Sequence, residues 1–590
     1  MPHILELPNE PTTLEQKPRV QILPSPSPLD NGDTTDHGLD EALRQELESL
    51  SAGMDHLVTT DHDDVKRVAY AKKIKQFLDR LPEPESQTPL PPSLTNCLSR
   101  LVSCAITFLA TETHEQLVDL YFDILSLTTA LDVTGRIWTT AVEGILENFE
   151  LPVVLGESGK DDDATVKKTR RQCQRKAERI MMFVLGALDN MPEDTKALTD
   201  NVTYHCLVLC ATFLGDETNR WSTANLKKQA EEIFTHLLLH TNHTRTKPLR
   251  RSQFVARYAE RILQENVKPY FMHQPPPLAM QKESARGGFG KGVREQWEAD
   301  LGGDAQPWKV ERVECVPVLV WVVMQLEHGQ CGPLQPSLFP PLLTLLDDYQ
   351  PTYKLVGARL TTHVLITCSA PMDVRRTNLG DVFFNSLLHC LTYHSEVELL
   401  EVALPAIVNL VPVIDQNGSQ AFVEKLERVM QDGVLRGLSF AVGGSVAVIR
   451  TLVSSIPTLT RLLQLTTIRF LHPLLGIACE ILQLHILDPQ TQLRAAEAVV
   501  EIVKECWPRI SKYRGVILKA VATAWRGIPA VVANKNTSEE TLATTTTLKH
   551  HLKSICVLLR ECCGEEIEPD FQLLLKVDRE LYSELLDGQP

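Results

Sequence analysis

Aromatic residues make up only 6% of this 590-residue chain, and most signals of an enzyme, a secreted protein or a membrane protein are missing as well. The 14 cysteines include no C-x-x-C pair. Most lie in apolar helical stretches (Cys97, Cys104, Cys206, Cys210, Cys368, Cys390, Cys479, Cys506), and Cys562 and Cys563 are adjacent, so they point to different sides of a helix. That usage predicts free thiols in a reducing compartment, not a disulfide framework or zinc ligands. No basic-plus-apolar leader opens the sequence. The longest unbroken apolar run, Cys315 to Met324 with Pro317 inside it, falls well short of the ~20 residues of a spanning helix. The expectation is a soluble, intracellular, cytoplasmic protein with no membrane contact, nuclear entry being left open. Positive charge is in deficit, the formal net charge being −16. No overall field therefore draws the chain to nucleic acid. There is no G-x-S-x-G, no clustered Cys/His dyad and no recognisable carboxylate pair, so the chain is read as non-enzymatic, with no cofactor.

Three features come near to known chemistry. Gly287-Gly288-Phe289-Gly290-Lys291-Gly292 suggests a phosphate loop, but Gly292 stands where Ser or Thr is needed and Ala285 where the first Gly belongs. A flexible linker is the better reading. His236, His240 and His243 share one helical face but have no acidic or thiol partner at ligand spacing; His389 and His394 are weaker still. The basic run Lys167, Lys168, Arg170, Arg171, Arg175, Lys176, Arg179 follows Asp161–Asp163. Nuclear import or an acidic partner would use such a run, but a solvated helix face offset by the nearby acids is the reading adopted.

What the chain does have is 43% hydrophobic residues, dominated by Leu and Val, at helical spacing. A pattern recurs: Leu334, Leu338, Pro340, Pro341, Leu342, Leu343, Leu346, Asp347, Asp348, a short turn, then Lys354, Leu355, Val356, Gly357, Ala358. It returns as Ile481, Leu482, Leu484, Ile486, Leu487, Asp488, Pro489, then Gln492, Leu493, Arg494, Ala495, Ala496. An apolar helix ends on Asp, and a second opens with small and basic residues. The Asp residues read as turn and cap residues, not catalytic acids. A helical hairpin of this kind cannot bury its own apolar face and must stack on neighbours. The fold expected is all-α, a HEAT-like α-solenoid of antiparallel hairpins, with an extended surface for binding proteins.

Along the chain, residues 1–38 read as disordered and 39–266 as an N-terminal helical region. Residues 267–308, with Pro275-Pro276-Pro277 and Gly302-Gly303, read as a loop or linker, and 309–590 as the C-terminal repeat region. Val310–Val323 has strand-like composition, but its helical neighbours make it a helix. The run Thr541–Leu548 reads as an exposed turn or a helix start.

Three stretches carry a resemblance. The first is Val318-Leu319-Val320-Trp321 leading to Leu345-Leu346-Asp347-Asp348-Tyr349-Gln350, then Lys354, Gly357 and His363. The second is Asn378, Val382, Leu391 and the apolar helix Leu404 to Ile414. The third is Trp507-Pro508-Arg509-Ile510. Over residues 305–530 the chain resembles the Tel-two-interacting protein two (Tti-two) family.

The resemblance implies an adaptor subunit of the Triple-T (TTT) complex, with the Tel-two protein and the Tti-one solenoid as partners. That complex works with the heat-shock protein 90 system to mature phosphatidylinositol 3-kinase-related kinases such as mTOR, ATM and ATR. TOR signalling, the DNA damage response and telomere maintenance would be the processes served. The matching residues Trp321, Asp347, Asp348, Tyr349, Lys354, Gly357, Asn378, Trp507, Pro508 and Arg509 read mainly as repeat architecture, with partner contact as the sharper alternative. Tyr349 and Trp507 would be anchors at helix ends, Pro508 a helix stop and Gly357 a point of close packing. Lys354 and Arg509 are expected to pair with Asp347 or Asp348. The repeat pattern alone fits a nuclear transport receptor or a phosphatase scaffold equally well.

Overall fold

In the computed structural model every regular element among the described residues is helical. Those residues are 45–50, 52–53, 64–81, 92–111, 115–131, 136–152, 155, 163–189, 199–243, 248–271, 306–368, 371–376, 378–441, 445–485, 488–532 and 539–586. The expected disordered segment 1–38, the glycine loop 287–292 and the side chains of His243 and Cys368 lie outside them.

The helices alternate between two rows. In the N-terminal part, α1 (Asp64–Leu78), α3 (Glu115–Ala130), α5 (Ala164–Asp189) and α7 (Ala224–His243) pack in succession. Beside them stand α2 (Pro92–Thr111), α4 (Arg136–Glu147) and α6 (Asp200–Leu214). After α8 (Arg251–Ile262) the helix loosens into a π turn, Leu263–Val267, and continues as α9 (Lys268–Phe271). Helix resumes in α10 (Pro307–Val310), α11 (Cys315–Gln325), α12 (Gln335–Asp347), α13 (Pro351–Thr361), α14 (Pro371–Arg376), α15 (Gly380–Cys390) and α16 (Val397–Ile414). Next come α17 (Gln420–Arg428), α18 (Arg436–Ala441), α19 (Val446–Leu463), α20 (Leu471–Leu484), α21 (Pro489–Glu505) and α22 (Trp507–Ile510). The described chain closes with α23 (Arg514–Val532), α24 (Glu539–Cys563), α25 (Glu568–Val577) and α26 (Arg579–Leu586). Helices α13, α16, α19, α21 and α24 pack in succession as one row, while α12 packs on α15 and α20 on α23 in the other. Elements meet their neighbours in sequence, which is the stacking of an α-solenoid.

The stretch Val310–Val323 is helical from Cys315, and Thr541–Leu548 lies in the first turns of α24, where the hydroxyls of Thr544 to Thr547 bond back to carbonyls four residues earlier. Helix α16 reaches the length and hydropathy of a membrane span, and half of it is buried in the protein. Its apolarity is accounted for by burial between α13, α15 and α19.

The region expected as a linker is framed by core. Trp308, placed in that linker by sequence, is buried; it stacks on Phe271 at 5.1 Å between ring centroids and meets the edge of Tyr353 at 4.8 Å. The Cys315 thiol donates to the Asn266 carbonyl at 3.2 Å. The helices before residue 272 and after residue 305 therefore share one packed interior.

Asp residues organise the hairpin turns. Buried Asp216 accepts from the backbone N–H groups of Trp221 and Ser222 at 3.0 and 2.9 Å between α6 and α7. Asp488 caps α21, accepting from the Thr491 hydroxyl at 2.6 Å, and pairs with Arg450 of α19 at 2.9 Å. Asp415 pairs with Lys425 at 2.7 Å. Each carboxylate satisfies donors that a helix terminus leaves without intrahelical partners, or a base from a packed neighbour.

Gly357 is where α12 and α13 approach most tightly in a way the sequence anticipates: a Cβ there would lie 2.9 Å from the Leu346 backbone nitrogen. Gly186 in α5 has open space at the same position. Replacing Gly by Ala gains about 1 kcal/mol of helix propensity, whereas overpacking against backbone costs about 1–3 kcal/mol. Gly357→Ala is therefore expected to lower stability and Gly186→Ala to raise it, measured by urea denaturation of the two variants. Equal effects at both sites would contradict the close approach.

Candidate partner interface

The turn between α12 and α13 gathers most of the sequence-selected residues. Asp348 is buried, and its Oδ2 pairs with Lys309 Nζ at 2.6 Å, the two side chains being 0% and 8% exposed. Its Oδ1 accepts from the Gln350 N–H at 2.9 Å. The Lys309 ammonium also faces the rings of Trp308, Tyr349 and Tyr353 at 4.9, 4.7 and 4.9 Å. A cation with its charge matched on one side and π-faces on the others tolerates loss of water better than an isolated one.

Lys354 is wholly buried: its Nζ donates to the Leu346 carbonyl at 2.5 Å and lies 5.1 Å from the Tyr393 ring centroid. Asp347 is exposed and accepts from the Ser386 hydroxyl at 2.9 Å. The pairing expected for Lys354 and Arg509 is thus replaced. Lys309 takes Asp348, Lys354 reaches the end of α12 instead, and Arg509 sits on α22, which packs on α21 and α24. Lysine at a helix C-terminus satisfies a carbonyl there and opposes the helix dipole.

The other selected residues divide by exposure. Trp321 is core, edge-on to Phe234 at 5.7 Å. Asn378 has φ +55°, a left-handed turn conformation that asparagine tolerates. Trp507 is 60% exposed, with Pro508 and Arg509 beside it also exposed. Tyr349 is 58% exposed, its hydroxyl accepting from the Gln350 amide at 2.9 Å. Trp507 is not the packed anchor expected from its helix-end position, whereas Tyr349 packs one ring face on Lys309 while the rest stays in solvent. An exposed Trp-Pro-Arg corner offers the residue types enriched at protein interfaces.

Sequence reasoning missed Lys309, Trp308 and Tyr353. The apolar helices on either side of residues 267–308 carry the repeat signal, whereas a lone Trp-Lys pair after a Gly-rich stretch does not. The basic run on α5 is largely engaged within the protein: Arg179 pairs with Asp119 at 2.8 Å, and Arg175 with Asp119 at 2.9 Å and with Glu115.

Other groups with chemical potential are bonded to one another. A cavity of about 260 Å³ is lined in part by Tyr204, His205, Glu265, Arg312 and Glu314. There Arg312 pairs with Glu314 at 3.0 Å and Glu150 at 2.6 Å, and Glu265 with Arg261 at 3.0 Å. Burial lowers the His205 pKa and raises that of Glu314. Burial also pushes the thiols of Cys206, Cys479 and Cys556 up to about 12, so these are neutral thiols and poor nucleophiles at neutral pH. His236 is paired with Asp189 at 3.4 Å. Among the described residues no group of three or more His, Cys, Asp or Glu is arranged to hold a metal ion.

This packing defines a HEAT-type α-solenoid, a class that works by presenting surface. Within that class the chain is similar to the Tti2 family: residues 207–485, just under half of its length, match the Tti2 family model. The match begins well before the resemblance expected at 305 and stops short of Trp507. Relatives include mouse TELO2-interacting protein 2, 23% identical over 256 residues, covering 42% of this chain and 48% of the relative. The human protein of that name is 22% identical over 207 residues, covering 35% and 40%. The chain thus spans less than half the length of each of these relatives. Solved structures of similar shape include SYS-1 (12% identity, 92% of this chain and 90% of that one, TM-score 0.38). Kap121p bound to RanGTP is another (11% identity, 91% and 51%, TM-score 0.40). Likenesses this distant add nothing to what the chain's own packing defines.

Removing one member of a buried ion pair strands the other, at a cost of about 3–5 kcal/mol. Lys309→Met is therefore expected to lose that much stability in urea denaturation, and the double variant K309M/D348N to recover part of it, since no unpaired charge remains. Glu497→Ala, which breaks the more exposed Arg494 pair, should cost no more than about 1 kcal/mol. Equal losses at the two pairs would deny Lys309 its structural role.

Proposed function

We propose that this protein is a non-catalytic helical-repeat adaptor, the Tti2-type subunit of a TTT complex. In this reading its stable partners are a Tel2-type protein and the larger Tti1-type solenoid. With the heat-shock protein 90 system, the complex supports maturation of phosphatidylinositol 3-kinase-related kinases of the mTOR, ATM and ATR type. The site of action is the cytoplasm, with the nucleus as a second compartment.

The observation that carries the reading is the family match over residues 207–485, which falls on stacked hairpins. Two facts lend support. The relatives are named as TELO2-interacting proteins. Arg312 and Glu265, which line the α4–α6 cavity, are held in ion pairs, Arg312 with Glu314 and Glu150 and Glu265 with Arg261, which suits a structural interior better than a reacting centre. In this reading Trp507, Pro508 and Arg509 supply one partner contact, because a large exposed aromatic beside an arginine gains most by burial in a complex.

The test is affinity purification of the tagged full chain at moderate salt, with mass spectrometry of what remains bound. Two large helical partners together with kinases of that class are expected. Ran-type GTPases or phosphatase subunits in their place would overturn the reading. Trp507→Ala is expected to weaken recovery of the helical partners while leaving stability within about 0.5 kcal/mol, as for surface changes generally. Undiminished recovery would remove Trp507 from the interface.

A further inference from the structure

Helices α23 and α25 leave an open groove of about 360 Å³ between them. The groove lies beyond the family-matched segment, so its role is independent of the adaptor reading. One wall is apolar and solvent-facing: Leu573 is 58% exposed and Val577, one turn further along α25, is 79% exposed. The floor is formed by buried Ala522 and its neighbours on α23. Large aliphatic side chains set at i and i+4 above a small residue make a seat for a ridge of side chains, as in helix packing.

The opposite wall is cationic. Lys519 and Arg526 line the groove from α23, and both are exposed. Among the described residues neither is in an ion pair with a groove carboxylate. The one acid in the lining, Asp570, is already paired with Arg514 at 3.0 Å. In a chain of net charge −16 this is a local reversal of sign. The two cations stand seven residues apart on one helical face, about 10 Å along the axis. Carboxylates seven residues apart on a partner helix would meet that spacing.

We propose that this groove receives an acidic amphipathic helix from a protein partner. Its leucine-type residues at i, i+4 and i+7 cover Leu573 and Val577, and glutamates along one flank face Lys519 and Arg526. A helix is favoured over an extended segment because no strand edge exists among the described residues to pair an extended backbone, whereas a helix satisfies its own N–H and C=O groups. The apolar wall supplies the affinity, and the cationic wall sets orientation and rejects basic helices.

The test uses the full chain and two synthetic 18-residue helices, alike in their leucines, one with glutamates and one with lysines on the flank, followed by fluorescence anisotropy. The glutamate helix is expected to bind, to weaken by about tenfold with Leu573→Asp, and to lose its advantage over the lysine helix in the double variant K519E/R526E. All substituted residues are exposed, and matched melting curves confirm that the variants fold. A photoreactive residue at position 573 of the full chain, crosslinked in lysate of its own cells, then gives the sequence of the native occupant. An acidic amphipathic segment whose crosslink falls about tenfold with K519E/R526E supports the proposal. Failure of the glutamate helix to bind, or a preference indifferent to charge reversal, would overturn it. So would a crosslink to lipid, to another copy of this chain, to a basic segment, or to nothing.

Discussion

The ammonium group of Lys309 is the point on which the packing of the central solenoid turns. It sits between Asp348 and the faces of Trp308, Tyr349 and Tyr353. The Trp308 ring reaches back to Phe271, and Tyr353 belongs to the hairpin ahead. One cation therefore ties the last helix before residue 272 to the α12–α13 hairpin. Burying an ion pair is a poor way to gain net stability, because desolvation offsets most of the attraction. What it does provide is discrimination: a shifted register strands a charge, and that is expensive. In a stack of similar hairpins, where many apolar registers are nearly equivalent, such a penalty selects one arrangement.

The same logic recurs at intervals along the stack. Asp488 takes Arg450 from the preceding hairpin, and Asp415 takes Lys425 while Lys425 also meets Asp381. Turn carboxylates do two jobs at once. They satisfy helix ends within a hairpin, and they couple that hairpin to an adjacent element. Apolar burial drives stacking without direction, while the charged contacts fix which residue meets which.

This division explains what was legible in the sequence. The apolar periodicity and turn Asp residues were enough to give the hairpins, and Gly357 as a close-packing point followed from its place in the second helix. The cysteines among the described side chains follow from their apolar surroundings, all but the half-buried Cys562 being buried and none disulfide-bonded. What could not be read was partnership across the stack. Lys354 stands six residues from Asp348, which made a local pair plausible, yet helical geometry turns its side chain onto the Leu346 carbonyl. Lys309, thirty-nine residues from Asp348, is brought there only by tertiary packing. Trp308 was hidden by composition, since a Gly- and Pro-rich neighbourhood masks a buried ring. The exposure of Trp507 and Tyr349 was equally invisible, because a helix-end aromatic is either an internal anchor or an outward contact depending on the next element.

A solenoid that resolves its charges internally has a consequence for how it meets other proteins. Most strong cations of the interior already have carboxylates or carbonyls, so they are not available to a partner without breaking the stack. Among the described residues that leave apolar surface exposed are those of the Trp507–Arg509 corner and of the α23–α25 groove, where Leu573 and Val577 stand beside exposed Lys519 and Arg526. Both combine a large apolar contact with a nearby cation, the combination that gives affinity through burial and specificity through charge. They lie on different elements, α22 on one hand and α23 with α25 on the other. In the proposed reading, two modest contacts set apart on one frame bind a partner or a pair of partners more tightly than either alone, provided the spacing of the frame is held. Holding that spacing is the work of the buried pairs, and so the interior charges and the exterior apolar patches belong to one design.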